Sequence, residues 1–104
     1  MIVQFRVEAR AQAAARRAWW IENRPAAPAL FDEELEGALR DLAERPASIP
    51  VLLVRDELSI RRWLLPNTRC HIHYVIDAGR GVVEILSLWG ASMGRRPPLA
   101  KTTR

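Results

Sequence analysis

The apolar positions of this chain change their period twice. Ile2 to Val7 alternate, with Val3, Phe5 and Val7 on one side, which predicts a short strand. From Glu8 the residues turn to alanine and arginine, and Ala9 to Arg24 contain no internal glycine or proline. That run predicts a first helix ending near Asn23, because Pro25 disfavours helical geometry in the residue before it. Ala11, Ala14, Ala15 and Ala18 form a small-residue stripe suited to the close approach of another helix. Trp19 and Trp20 are adjacent and cannot share a face, so one is expected in the core and the other half-exposed. Phe31, Leu35, Ala38, Leu39 and Leu42 then recur at helical spacing, with Pro28 in the expected first turn and Pro46 as the stop. Asp32, Glu33 and Glu34 near its start and Arg40 and Arg45 near its end suit the helix dipole. The short linker Arg24-Pro25-Ala26-Ala27 predicts an antiparallel helical hairpin.

After Pro46 the period becomes two. Val51 to Arg55 reads as a strand, Asp56-Glu57 as a turn, Ile60 to Leu65 as a strand and Pro66-Asn67-Thr68 as a second turn. Arg69 to Asp77 alternates, with Cys70, Ile72, Tyr74 and Ile76 on one face and His71, His73, Val75 and Asp77 on the other. Asp77-Ala78-Gly79-Arg80-Gly81 predicts a hairpin loop. Val82 to Trp89 is apolar on both faces apart from Glu84 and Ser87, as in a central strand. The sum is an α+β fold, β-α-α-β-β-β(-β). A helical hairpin packs on one face of a small, curved, mainly antiparallel sheet. With 104 residues this is one domain spanning 1–104, and the basic segment from about residue 90, with Gly94, Pro97 and Pro98, is expected to be irregular.

Composition narrows the class. Apolar residues make up 49% and charged residues 27%, a globular balance rather than a disordered one. Cys70 is the single cysteine, which rules out an internal disulfide and a cysteine-rich zinc site. No apolar run is long enough to span a membrane and the first residues do not read as a signal peptide, so a cytoplasmic protein is expected. Residues 1–50 hold seven arginines and eight acids, a net of −1. Residues 51–104 hold eight arginines and Lys101 against four acids, a net of +5, so the basic excess lies in the second half.

Several segments, in order, resemble the RelE/ParE family of toxins. Trp19-Trp20-Ile21-Glu22-Asn23-Arg24-Pro25-Ala26-Ala27-Pro28, with Leu30-Phe31 and Glu34-Leu35, resembles that family's helical hairpin. Leu39-Arg40-Asp41-Leu42-Ala43-Glu44-Arg45-Pro46 resembles the close of its second helix. Arg62 to Arg69 leading into His71 to Asp77 resembles its central hairpin, and Val83 to Gly90 its last strand. The resemblance covers positions 2 to 99 and implies a bacterial toxin that arrests growth unless a cognate antitoxin binds it, in a hetero-oligomer. Two targets follow from it. ParE-like members inhibit DNA gyrase without a catalytic set, and RelE-like members cut messenger RNA on the ribosome with basic residues and a late aromatic. This sequence departs from the nuclease pattern: His71 stands where arginine is common, Gly90 to Gly94 lacks an early arginine, and no tyrosine follows Tyr74. The gyrase reading is therefore preferred, with the nuclease and an inactive binding module as alternatives.

RNA cleavage through the 2′-hydroxyl needs a base, an acid and cations for the developing charge. In that alternative His71 or His73 supplies the acid or base, and Arg61, Arg62 or Arg95 neutralises the phosphate charge, with His71, Arg61 and Arg62 the candidate catalytic set. Against it stands the plainer expectation that His71 and His73 are solvent-facing strand residues. They share a face without a third ligand, so no metal and no cofactor is expected. Arg95 and Arg96 are the candidate target contacts. Trp19 or Trp20, whichever is exposed, is the candidate antitoxin contact. Trp63, Trp89 and Cys70 read as packing residues.

Overall fold

A computed structural model describes residues 1–90. Arg95, Arg96 and Lys101, and with them the expected irregular tail, lie outside the described residues. The elements are β1 (Ile2–Phe5), α1 (Val7–Asn23), α2 (Leu30–Glu44), a 3-10 turn (Pro46–Ser48), β2 (Val51–Arg55), β3 (Leu58–Leu65), β4 (Cys70–Asp77) and β5 (Val82–Gly90). The sheet runs β1-β5-β4-β3-β2, with β1 parallel to β5 and every other pair antiparallel. This is the α+β arrangement that the apolar pattern predicts.

Three local expectations need correction. Val7 is not the end of a strand; it opens α1 and is 81% exposed. Ala11, Ala14, Ala15 and Ala18 face solvent, because the sheet side of α1 is taken by Ala9, Ala13, Arg16 and Trp20 at i, i+4, i+7, i+11. Pro28 precedes α2 rather than lying in its first turn, with Ala29 at the N-cap.

The main core joins both helices to one sheet face: Ala9, Trp20, Phe31, Ala38 and Leu42 pack with Leu65, Cys70, Ile72, Tyr74, Val83, Ile85 and Leu88. A second, smaller cluster of Ile60, Val75 and Leu86, flanked by Leu53 and Leu58, contains no helix residue and so belongs to the other face. It exists because the β4–β5 ladder shifts: His73 pairs with Ser87 but Tyr74 pairs with Ile85, which leaves Leu86 as the extra residue of a bulge. β5 is central only over its first half. β1 ends opposite Ile85, and beyond it the Leu88 amide donates to Gln12 Oε1 of α1 at 2.9 Å. The first helix thus satisfies backbone that a longer β1 would have paired.

The hairpin and the β3–β4 loop are tied by polar contacts. Trp20 Nε1 donates to the Ala27 carbonyl at 2.8 Å, closing the interhelical linker, and Arg17 makes a two-point contact with Asp32 at 3.0 and 2.9 Å. Tyr74 donates its hydroxyl to the Pro46 carbonyl at 2.7 Å. Glu34 of α2 accepts from the amides of Asn67 and Thr68 and from Thr68 Oγ1, at 2.8, 2.8 and 2.6 Å. Arg16 of α1, only 3% exposed, donates to the Thr68 carbonyl at 3.1 Å. Burial pushes the Glu34 carboxyl up, but the hydrogen bonds from Thr68 and Asn67 outweigh it and leave the pKa below 4.5.

Two outcomes follow for stability. Thr68→Val removes one bond to a carboxylate without changing volume, and should cost about 1.5–3 kcal/mol, read as a lower urea midpoint at unchanged m. Because the folded Glu34 pKa is depressed, its contribution is complete above pH 4.5 and is lost as pH falls through the lower folded value. Glu34→Gln should flatten that part of the stability–pH curve.

Candidate functional site on the helix-free sheet face

Strand register fixes two rows across β3, β4 and β5. Arg62, His73 and Ser87 make one row; Leu64, His71 and Trp89 make the next. His73 shares a face with Val75 by strand alternation, and Val75 belongs to the cluster without helix residues, so both rows lie on the helix-free face.

His73 contradicts the expectation of a solvent-facing ring. It is 6% exposed, and its Nδ1 lies 3.1 Å from the Oγ of Ser87, which is itself fully buried. A mid-sheet position beside the second apolar cluster removes it from water although its sequence neighbours are polar. Burial, then the nearby Arg62 and His71, hold its pKa at about 4, so the ring is neutral at physiological pH. His71 is half-buried, and its pKa is lowered by burial and by Arg62 and Arg69. Arg62, Arg69 and Leu64 are exposed around it.

The set His71, Arg61 and Arg62 does not come together. Arg61 and Arg62 are strand neighbours and take opposite faces. Arg61 pairs with Val51 and Tyr74, and donates through Nη1 to the Ile49 carbonyl beside Tyr74. Only Arg62 accompanies His71. Arg69, read in the sequence merely as the start of a strand, joins them instead; the signal for it is an arginine placed directly after the Pro-Asn-Thr turn. Chemically, the face offers a neutral imidazole between two guanidinium groups. It can accept or donate one proton and stabilise an anion, but His73 is too buried to act as a second acid or base.

The two tryptophans divide as expected. Trp20 is buried at 7% exposure, whereas Trp19 is half-buried, with Arg16 4.3 Å and Arg24 5.1 Å from its ring centre. Trp19 is therefore the one that reaches the surface. Trp63 packs against the main core, while Trp89 lies half-buried opposite His71. Burial raises the Cys70 thiol pKa, partly offset by Arg16, so the group is not a nucleophile at neutral pH. Among the described residues no three His, Cys, Asp or Glu are grouped to hold a metal ion, and no helix is long and apolar enough to cross a membrane. A 560 Å³ cavity lies toward the β4–β5 loop, but its charged walls are paired, Arg6 with Glu84 at 3.6 Å and Arg80 with Asp77 at 3.7 Å.

No family model matches this chain, and neither does any curated protein or solved structure.

The state of His73 is directly measurable. In an NMR titration its ring should change charge near pH 4. Since the folded pKa is below the ordinary imidazole value of 6.5, the stabilisation from the neutral ring is full above pH 6.5 and is lost as pH falls toward and through 4. A ring titrating near 6.5 would contradict the buried placement.

Proposed function

We propose that this chain is the toxin of a bacterial type II toxin–antitoxin module, acting in the cytoplasm and held inactive by its antitoxin. We propose further that it acts as ParE-like toxins do, by binding DNA gyrase rather than by cutting messenger RNA. The observation that carries the second step is the opposed placement of Arg61 and Arg62. Of the candidate catalytic set His71, Arg61 and Arg62, Arg61 lies on the helix side against Ile49, so the set does not surround one phosphate, which weighs against the nuclease. The order of elements supports the first step, since the resemblance in sequence runs through the same strand, hairpin and strands. One arrangement favours the nuclease as a second reading: a neutral His71 flanked by Arg62 and Arg69 is a competent base beside cations.

The antitoxin in this proposal presents an acidic, amphipathic tail to the helical hairpin and the adjoining sheet, complementing the basic second half. Trp19, not the buried Trp20, is its anchor on this side.

Induced alone, the chain should arrest growth, and co-expression of the neighbouring small gene should relieve the arrest. Loss of supercoiling control and an SOS response with intact messenger RNA is the expected state of the arrested cells. Messenger RNA cleavage that falls at least about a hundredfold on His71→Ala would replace this reading by the nuclease, since that is the low end for a general acid or base. Unimpaired growth at high soluble expression would leave only an inactive module. Replacing both Arg95 and Arg96 by alanine should sharply weaken toxicity at unchanged thermal stability.

A further inference from the structure

The two edges of the sheet are unlike. β1 sends Val3 and Phe5 into the main core, whereas among the described residues that core takes nothing from β2, which pairs with β3 alone. The five residues of β2, Val51-Leu52-Leu53-Val54-Arg55, hold four apolar side chains, and Val51, Leu52 and Val54 are 41, 44 and 67% exposed. An apolar edge strand is a template for another strand, and edges meant to stay bare carry a lysine, a proline or an inward charge. Between Val51 and Val54 there is none of these. The one irregularity is a bulge: Val51 pairs with Arg61 and Leu53 with Ile60, so Leu52 is the extra residue.

That bulge decides which strand fits the edge. Ile60 lies on the helix-free face, so Ser59 and Arg61 lie on the helix side, and with them their pairing partners Val54 and Val51. Residues three apart on a regular strand take opposite sides; here they share one. Val51-Leu52-Leu53-Val54 also reads the same in either direction. A two-fold axis through the sheet between Leu52 and Leu53 therefore sets Val51 opposite Val54 of a second copy, with leucine opposite leucine between them. Both valines then stand on one side of the joined sheet, as directly opposite residues of an antiparallel pair must. Charge agrees with this occupant. Arg55, the charged residue of β2, falls at the end of the pairing opposite Pro50 of the second copy, so the two arginines are kept apart. An acidic segment would find no cation between Val51 and Val54.

We propose that β2 is a self-association edge, through which two copies of this chain pair antiparallel about a two-fold axis and join their five-stranded sheets into one. The pairing strand has five residues, so the interface belongs with the small ones, below about 1,200 Å² in total, and the dimer is weak and reversible. The inference goes beyond the toxin reading and does not depend on it: growth arrest could fail with the dimer intact, and the reverse.

The test is sedimentation equilibrium of the full chain from about 1 μM to about 1 mM, where a monomer–dimer equilibrium should appear. Val54→Lys puts a charge into the pairing and should weaken the dimer at least about tenfold at an unchanged melting temperature. Val7→Lys, at an 81% exposed valine on α1, should leave it as it is. Cysteines test the register without relying on that loss. Opposite Cβ atoms lie about 4.5–5.5 Å apart, within reach of a disulfide, so the double variant Val51→Cys, Val54→Cys should oxidise to a covalent dimer. Either single variant faces its cysteine with valine and should not, and the fully buried Cys70 takes no part. A monomer over the whole range, an unchanged dimer in folded Val54→Lys, or an equal loss in Val7→Lys would overturn the proposal. So would cross-linking as strong in a single variant, or species larger than a dimer, the mark of open edge-to-edge aggregation. A chain that stays monomeric and gains protection of its β2 amides only with the neighbouring gene's product would assign the edge to that partner instead.

Discussion

Thr68 is where the two helices and the sheet are joined by hydrogen bonds. Its amide and hydroxyl are held by Glu34 of α2, and its carbonyl by Arg16 of α1. A buried arginine and a carboxylate are costly to desolvate separately. Here each meets polar backbone of one loop, and Arg16 also stacks on Trp19. Gly90 belongs to the same arrangement. A Cβ there would come within 2.8 Å of the Arg16 guanidinium carbon, so a larger residue at the end of β5 would require that side chain to shift. Apolar packing supplies the bulk of the stability, but this clasp decides how the β3–β4 hairpin sits against the helices.

The helix-free face inherits its form from two departures from a regular sheet. The bulge at Leu86 turns Leu86 toward Val75 and Ile60, giving that face an apolar patch that buries His73 and Ser87. The clasped loop ends in the left-handed Arg69, which adds a second guanidinium beside His71. A neutral inner histidine, a half-buried outer one and two exposed arginines follow from those two irregularities. The same face has no room for Arg61, because residues adjacent on a strand point to opposite sides.

The elements were legible because their periods are strong. Phe31, Ala38 and Leu42 are buried as their spacing requires, and Cys70, Ile72 and Tyr74 face the main core as their alternation requires. What could not be read is whatever depends on contacts between distant segments. Nothing near Ala11, Ala14, Ala15 and Ala18 tells that a neighbouring stripe with Arg16 and Trp20 faces the sheet. Arg16 itself looks like any surface arginine until the Thr68 carbonyl, 52 residues away, is placed over it. His73 looks polar and outward until the bulge brings Ser87 and Leu86 beside it. For the candidate site, one strand alternation separates Arg61 from Arg62 and was available in the sequence, whereas the recruitment of Arg69 depends on a backbone angle that no pattern announces.

The most direct test of this account is native-state hydrogen exchange at the Thr68 amide. A loop amide hydrogen-bonded only to water exchanges through small local openings, whereas one held by a clasp between two helices exchanges only when much of the structure opens. The account predicts Thr68 protection approaching that of core amides on β4 and β5, and a large loss of it in Glu34→Gln while the β4 amides keep theirs. Exchange at Thr68 as fast as in the exposed Gly79–Arg80 loop of the wild-type protein would contradict it.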